Sequence, residues 1–177
     1  MELTWKTIIW QQFGAAMDML ESAMRACPDH LWSDPSRRPE WVGRNVVGFW
    51  YVAYHTLFWL DFYLSESEEG FVPPAPFTLC ELDPSGLLPE RPYTKNELQT
   101  YLDHGREKCR ATIGDLTEQH AQQRRRFPWG EVSGAELLLY NMRHVQHHAA
   151  QLHLLLRQTT GSTPGWVAQT KAKPSAE

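Results

Sequence analysis

His144 and His148 stand four residues apart in the run Arg143-His144-Val145-Gln146-His147-His148-Ala149-Ala150-Gln151-Leu152, and His55 interrupts a nearly all-apolar run from Val46 to Leu60. An α-helix turns through roughly 400° in four residues, so His144 and His148 share one face, about 6 Å apart along the axis. Two imidazoles at that spacing can grip one divalent ion. On a helical wheel Leu137, Asn141, Leu152 and Leu155 fall on the side of the pair, with Gln151 and Tyr140 close by. Arg143, Gln146, His153 and Arg157 point away, as a solvated face should. The pair therefore faces the core, where ring nitrogens need partners, and a shared cation would serve both. His147 lies on the shoulder of that stripe.

Three neutral imidazoles leave an ion its full charge and at least one open position. The reacting group expected there is a metal-bound water drawn towards neutral pKa, or a thiol held as thiolate. Hydrolysis by bound water wants a carboxylate as proton acceptor. None lies on the inward stripe of the two helices that carry the histidines: Asp61 points away from His55, and Glu136 sits near its helix start. The first or third helix, or the long loop, remains as a source. A thiolate attacking an electrophile needs no such base, so transfer through a small thiol is favoured over hydrolysis. The Ser, His and Asp residues form no nucleophile motif, and there is no glycine-rich phosphate loop. A non-catalytic module that sequesters an ion is the reading from another class. Haem between opposed histidines is disfavoured, because three rings converge.

A lone His55 on an apolar helix would ordinarily be a core histidine with a common hydrogen-bond partner. Only its conjunction with His144 and His148 points to metal. His120 falls on the inner face of the third helix near its frayed end, and His30, His104 and His153 read as surface residues.

Four helices must position these rings. The first spans about Leu3 to Ala26, with Ile9, Phe13, Ala16, Leu20 and Met24 on one stripe before Cys27-Pro28-Asp29. The second runs from Trp41 or Asn45 to Leu64. The third opens on the capping box Thr94-Lys95-Asn96-Glu97 and continues past Cys109 and Ile113 to Leu116; the fourth opens on a second box, Ser133-Gly134-Ala135-Glu136, and ends near Gly161. No segment alternates as a strand would. The proline-rich stretch from Ser65 to Tyr93 is long enough to run the length of a helix, about 35 Å. It favours an up-down-down-up four-helix bundle with one long crossover between the second and third helices, or a lid over a pocket. Lengthwise packing then brings the midpoint of the second helix, at His55, level with His144 and His148. The second helix is apolar nearly all round, so its outer side needs a cover: a homodimer partner or the crossover itself. Residues 1–161 form the metal-binding bundle and 162–177 a loosely packed tail that Trp166 would pin.

At 177 residues, with 42% hydrophobic and 21% charged side chains, the chain suits one globular domain with a real core. A net charge of −4 gives no reason to expect nucleic acid or an anionic membrane as partner. Arg124-Arg125-Arg126 reads as a solvated helix end. The three cysteines lack ligand spacing, no signal peptide opens the chain, and the Val46–Leu60 run is too short to span a bilayer. A cytoplasmic location is the default expectation, with Cys109 as core packing.

The pattern His144-x-x-His147-His148-x-x-Gln151-Leu152 followed by Leu155, Leu156 and Arg157 resembles the last helix of the DinB/YfiT-like family of metalloenzymes. His55 stands where that family places its second-helix ligand, and Tyr93-Thr94-Lys95-Asn96-Glu97-Leu98 with Tyr101-Leu102 is similar to the start of its third helix. The family usually carries Arg-Gly before the glutamine; here the pair is Ala149-Ala150. The resemblance implies a four-helix bundle with His55, His144 and His148 on a divalent ion of nickel, zinc or iron type. His147, Gln151 and Asn141 are candidates for supporting the ligands. It further implies a small-molecule substrate, a low-molecular-weight thiol as cosubstrate or else a hydrolase or stress-response role as in DNA damage, and homodimers in several members.

Overall fold

The computed structural model describes residues 4–34, 48–65 and 69–172. Helix α1 spans Trp5–Ala26, with Thr4 accepting from the Thr7 amide at its N-terminus and Trp10, Phe13, Met17, Leu20 and Met24 buried along one face. Pro28 cannot continue it, and a single further turn, α2 (Asp29–Trp32), follows. Helix α3 is Phe49–Tyr63. It starts after Gly48, whose φ of 90° is not helical, so the helix is not continuous from Trp41 or Asn45 as the apolar run implied. Residues 41–47 lie outside those described.

Both capping boxes form: Thr94 with Glu97 opens α4 (Lys95–Gly114), and Ser133 with Glu136 opens α6 (Gly134–Thr160). Each box satisfies two amides that no intrahelical carbonyl can reach. Gly161, in the left-handed conformation at φ 78°, closes α6. Helix α4 stops at Gly114, short of Leu116, and the separate turn α5 (Glu118–Gln122) follows. His120 is therefore exposed on α5, not on an inner face of the third long helix.

The four long helices form an up-down-down-up bundle. Lys6 reaches the Gly114 carbonyl while Arg106 pairs with Asp18 and Glu21, so α1 and α4 run antiparallel. Lys108 meets Asp61 and Ser65 at the far ends of α3 and α4, and Trp50 packs on Tyr93 at their starts, so those two are parallel. Asn141 donates to the Leu60 carbonyl and His55 lies beside His148, so α3 and α6 are antiparallel.

One expectation changes here, and of the two covers expected for α3 one is observed. Residues 124–126 are strand, not helix end: β1 (Arg124–Phe127) pairs antiparallel with β2 (Gly130–Ser133), and Arg124 and Arg126 meet Glu131 across the hairpin. Four-residue strands are too short for alternation to register. The outer face of α3, which argued for a dimer, is covered from within the chain. Phe71 packs edge-on against Phe58 and Phe62, and Phe77 stacks on Tyr54 and on Tyr101. The crossover thus removes the apolar surface on which the dimer argument rested. Its Leu79–Leu82 segment forms a 3₁₀ turn with Cys80 buried.

The described part of the C-terminal segment also packs on α1. The Thr170 amide donates to Gln11, the Trp10 indole donates to Ala172, and Gln12 donates to Ala168. Thr170 fills the notch left by Gly14, where a Cβ would collide with its side chain. Trp166 does not pin this segment; it is 72% exposed. His153, expected on the surface, is buried and holds the segment instead: its Nδ1 meets the Thr163 hydroxyl at 2.8 Å and its Nε2 the Met19 carbonyl at 2.9 Å. The wheel placed it away from the α3 side of α6, but α1 covers that flank.

Candidate metal centre

His55 lies midway along α3, and His144 and His148 lie on consecutive turns of α6. The antiparallel packing of these helices brings the three rings together at mid-depth. Their centroids are 4.5–5.4 Å apart, and one ring nitrogen from each lies within 4.8 Å of the others, a spacing that could hold a divalent ion. His148 is buried; His55 and His144 are partly so. They line a cavity of about 560 Å³ with Trp59, Tyr63, Glu81, Tyr140 and His147.

The neighbours settle which nitrogen of two rings faces that cavity. Glu81, from the 3₁₀ turn of the crossover, accepts from His55 Nδ1 at 2.7 Å. The same carboxylate accepts from the Tyr51 hydroxyl at 2.5 Å and the Trp59 indole at 3.0 Å. Burial pushes the Glu81 carboxyl up, but the hydrogen bonds from His55, Tyr51 and Trp59 outweigh it, and the group is held below its ordinary value as a carboxylate. With Nδ1 of His55 protonated and donating, its Nε2 lone pair is directed inward. On α6 the Gln151 side chain does similar work. Its carbonyl accepts from His148 Nδ1 at 2.7 Å, and its amide nitrogen donates to His147 Nε2 at 3.1 Å. An amide has one acceptor end and one donor end, so the two contacts assign each other's polarity. With Nδ1 donating, the lone pair of neutral His148 lies on Nε2.

His144 completes the set differently. Its Nδ1 is buried with no hydrogen-bond partner among the described residues. An orphaned ring nitrogen beside two oriented imidazoles fits a cation that would satisfy it. Burial, reinforced by the charge that His148, His55 and His147 would carry, lowers the His144 pKa to about 2. Burial and then His55 lower that of His148 to about 4, against the Gln151 hydrogen bond. Both rings are thus neutral at physiological pH, the form that ligates metal.

The remaining expected residues separate. Gln151 and His147 adjoin the cluster, and Asn141 bridges α6 to α3 by donating to the Leu60 carbonyl. Asp61 is buried away from the site, paired with Lys108 at 2.5 Å and hydrogen-bonded by Tyr101. His30 and His104 lie at the surface. Glu81 was not named in advance. Its only signal was an acid among apolar residues, Leu79-Cys80-Glu81-Leu82, in a loop rich enough in apolar side chains to pack; an acid drawn in with them needs donors.

No helix among the described residues is long and apolar enough to cross a membrane. Among curated proteins, none matches the chain. The family model of the DinB superfamily matches residues 12–152, from early α1 to just past the histidine pair of α6. That span takes in all three rings, the crossover that carries Glu81, all of α3 and α4 and most of α1 and α6, and by it the chain belongs to the DinB superfamily.

Proposed function

We propose that the protein is a metal-dependent S-transferase that activates a small thiol at the His55–His144–His148 centre. A divalent ion held by His55, His144 and His148 would supply Lewis acidity, lowering the pKa of a bound thiol. The observation that carries this reading is the engagement of Glu81. Among the described residues it is the carboxylate that lines the cavity, yet Oε1 accepts from Tyr51 and Oε2 from both His55 and Trp59. A carboxylate so occupied orients a ligand; it is not poised to take a proton from water. The hydrolytic alternative needs such a base. His147, whose Nε2 accepts from Gln151, does not supply one on that nitrogen. Thiolate attack needs none: the sulfur displaces a leaving group from an electrophilic carbon, and the thiol proton passes to solvent. The cavity beside the rings leaves room for both reactants, which a closed storage site would lack. Three free cysteines, all buried, suit a reducing, cytoplasmic setting where such thiols abound.

The test is turnover of an alkyl or aryl halide with glutathione, bacillithiol or mycothiol by zinc-, nickel- or iron-loaded protein. Turnover should require a thiol, disappear on chelation, and disappear in His148→Ala together with tight metal binding. Turnover of esters or amides at rates indifferent to thiol would replace the transferase reading with the hydrolase.

A further inference from the structure

A second cleft, about 590 Å³, adjoins the histidine cavity across the Tyr140, His144 and His147 side chains, which line both. Its volume is that of a small-molecule site. One wall is apolar: Ala15 and Ala16 of α1 face Val167 and Trp166 of the C-terminal segment. That segment is fixed in place, since the Val167 amide meets the Met19 sulfur at 3.3 Å and Gln12 holds the Ala168 carbonyl at 3.2 Å. Trp166 is nonetheless 72% exposed, an indole carried to the cleft edge without being buried by its own chain. The other wall holds Arg143. Arg143 is exposed and, like Arg125 and Arg157, has no ion-pair partner among the described residues, but of these three it alone lines this cleft.

An apolar slot edged by an indole, an unpaired guanidinium at its side and the histidine cavity adjoining it are the complement of an amphipathic organic acid. We propose that this cleft binds the non-reacting body of such a molecule. Its apolar or aromatic part lies between Ala15, Ala16, Val167 and the Trp166 ring, and its carboxylate pairs with Arg143. The assignment of its other end to the histidine cavity rests on the function proposed above; the binding itself does not. Substrate selection then belongs to the α1–α6 cleft and the C-terminal segment, and activation to the histidines.

The test uses 4-phenylbutyrate and its neutral amide, titrated into full-length protein carrying 5-fluorotryptophan. The ¹⁹F resonance missing from Trp166→Phe identifies Trp166. Phenylbutyrate should shift that resonance saturably, about tenfold more tightly than the amide, the scale of one charge-assisted contact. Arg143→Gln should abolish the preference for the acid, and Arg143→Lys should restore part of it. Both residues are exposed, so these variants keep the core. The same titrations should hold in chelated protein and in His148→Ala, so a failure of the metal reading leaves this result standing. An unmoved Trp166 resonance, or equal affinity for acid and amide in the unsubstituted protein, would overturn the proposal.

Discussion

Glu81 receives three donors on two oxygens, and one of them is His55 Nδ1. That bond keeps His55 in the tautomer that presents Nε2. Glu81→Gln keeps the shape but removes the charge and puts an amide donor where acceptors are needed. Metal affinity should fall by about 10- to 100-fold, read by competition with a chromogenic chelator; an unchanged affinity would mean that Glu81 merely braces the loop. His144 and His148 carry a different prediction. Their pKa values are lowered from 6.5 to about 2 and about 4, so below pH 6.5 the unfolded chain binds more protons than the folded one. Their contribution to stability is fully present above 6.5 and drains as pH falls towards 4. Metal-free protein should lose on the order of 2–4 kcal/mol of unfolding free energy between pH 7 and pH 5. Urea melts across that range measure it, and a flat profile would contradict neutral burial of the two rings. The histidines could be found in the sequence because helical spacing gives their facing directly. Glu81 could not, since a loop has no period from which facing can be read.

The crossover is the element on which this arrangement depends. Phe77 stacks on Tyr101 of α4 with centroids 4.2 Å apart and on Tyr54 of α3, anchoring the strand of chain that leads into the Glu81 turn. Phe77→Ala should cost about 3–5 kcal/mol, as for other large buried aromatics. It should also weaken metal binding although Phe77 touches no ligand, because the turn loses its seat. Denaturant midpoint and chelator competition on the same variant separate the two effects; a stability loss with full metal affinity would uncouple loop from site. The long helices and both capping boxes were legible because they rest on local rules: apolar recurrence and the pairing of Ser133 with Glu136 or Thr94 with Glu97. The β1–β2 hairpin was not. Phe127 and Trp129, stacked 5.1 Å apart, hold it against Tyr63 and Tyr140 through contacts distant in sequence. The same limit applied to α3, whose all-round apolarity showed that it needs cover but not that Phe71 and Phe77 supply it.

In the molecule as a whole, α1 is held on two sides, by the bundle and by the C-terminal segment. Gly14→Ala would drive a methyl into Thr170. The segment must then shift, freeing the Trp10 indole from Ala172 and the Thr170 amide from Gln11. Stability should drop by about 1–3 kcal/mol, the usual range for overpacking, and protease cleavage after Lys171 should accelerate. Unchanged proteolysis would show that the segment accommodates the methyl in place. The order of the helices along the chain has a consequence of its own. His55 belongs to the second long helix, whereas His144 and His148 belong to the last. During synthesis the ribosome has released α1, α3, the crossover and α4 before the last two rings exist outside the tunnel. A nascent chain halted before α6 carries one of the three clustered imidazoles and no cage, so a divalent ion could be gripped by all three only once α6 has packed against α3. Chains halted short of that helix would lack two of the three ring nitrogens and could not form the cluster.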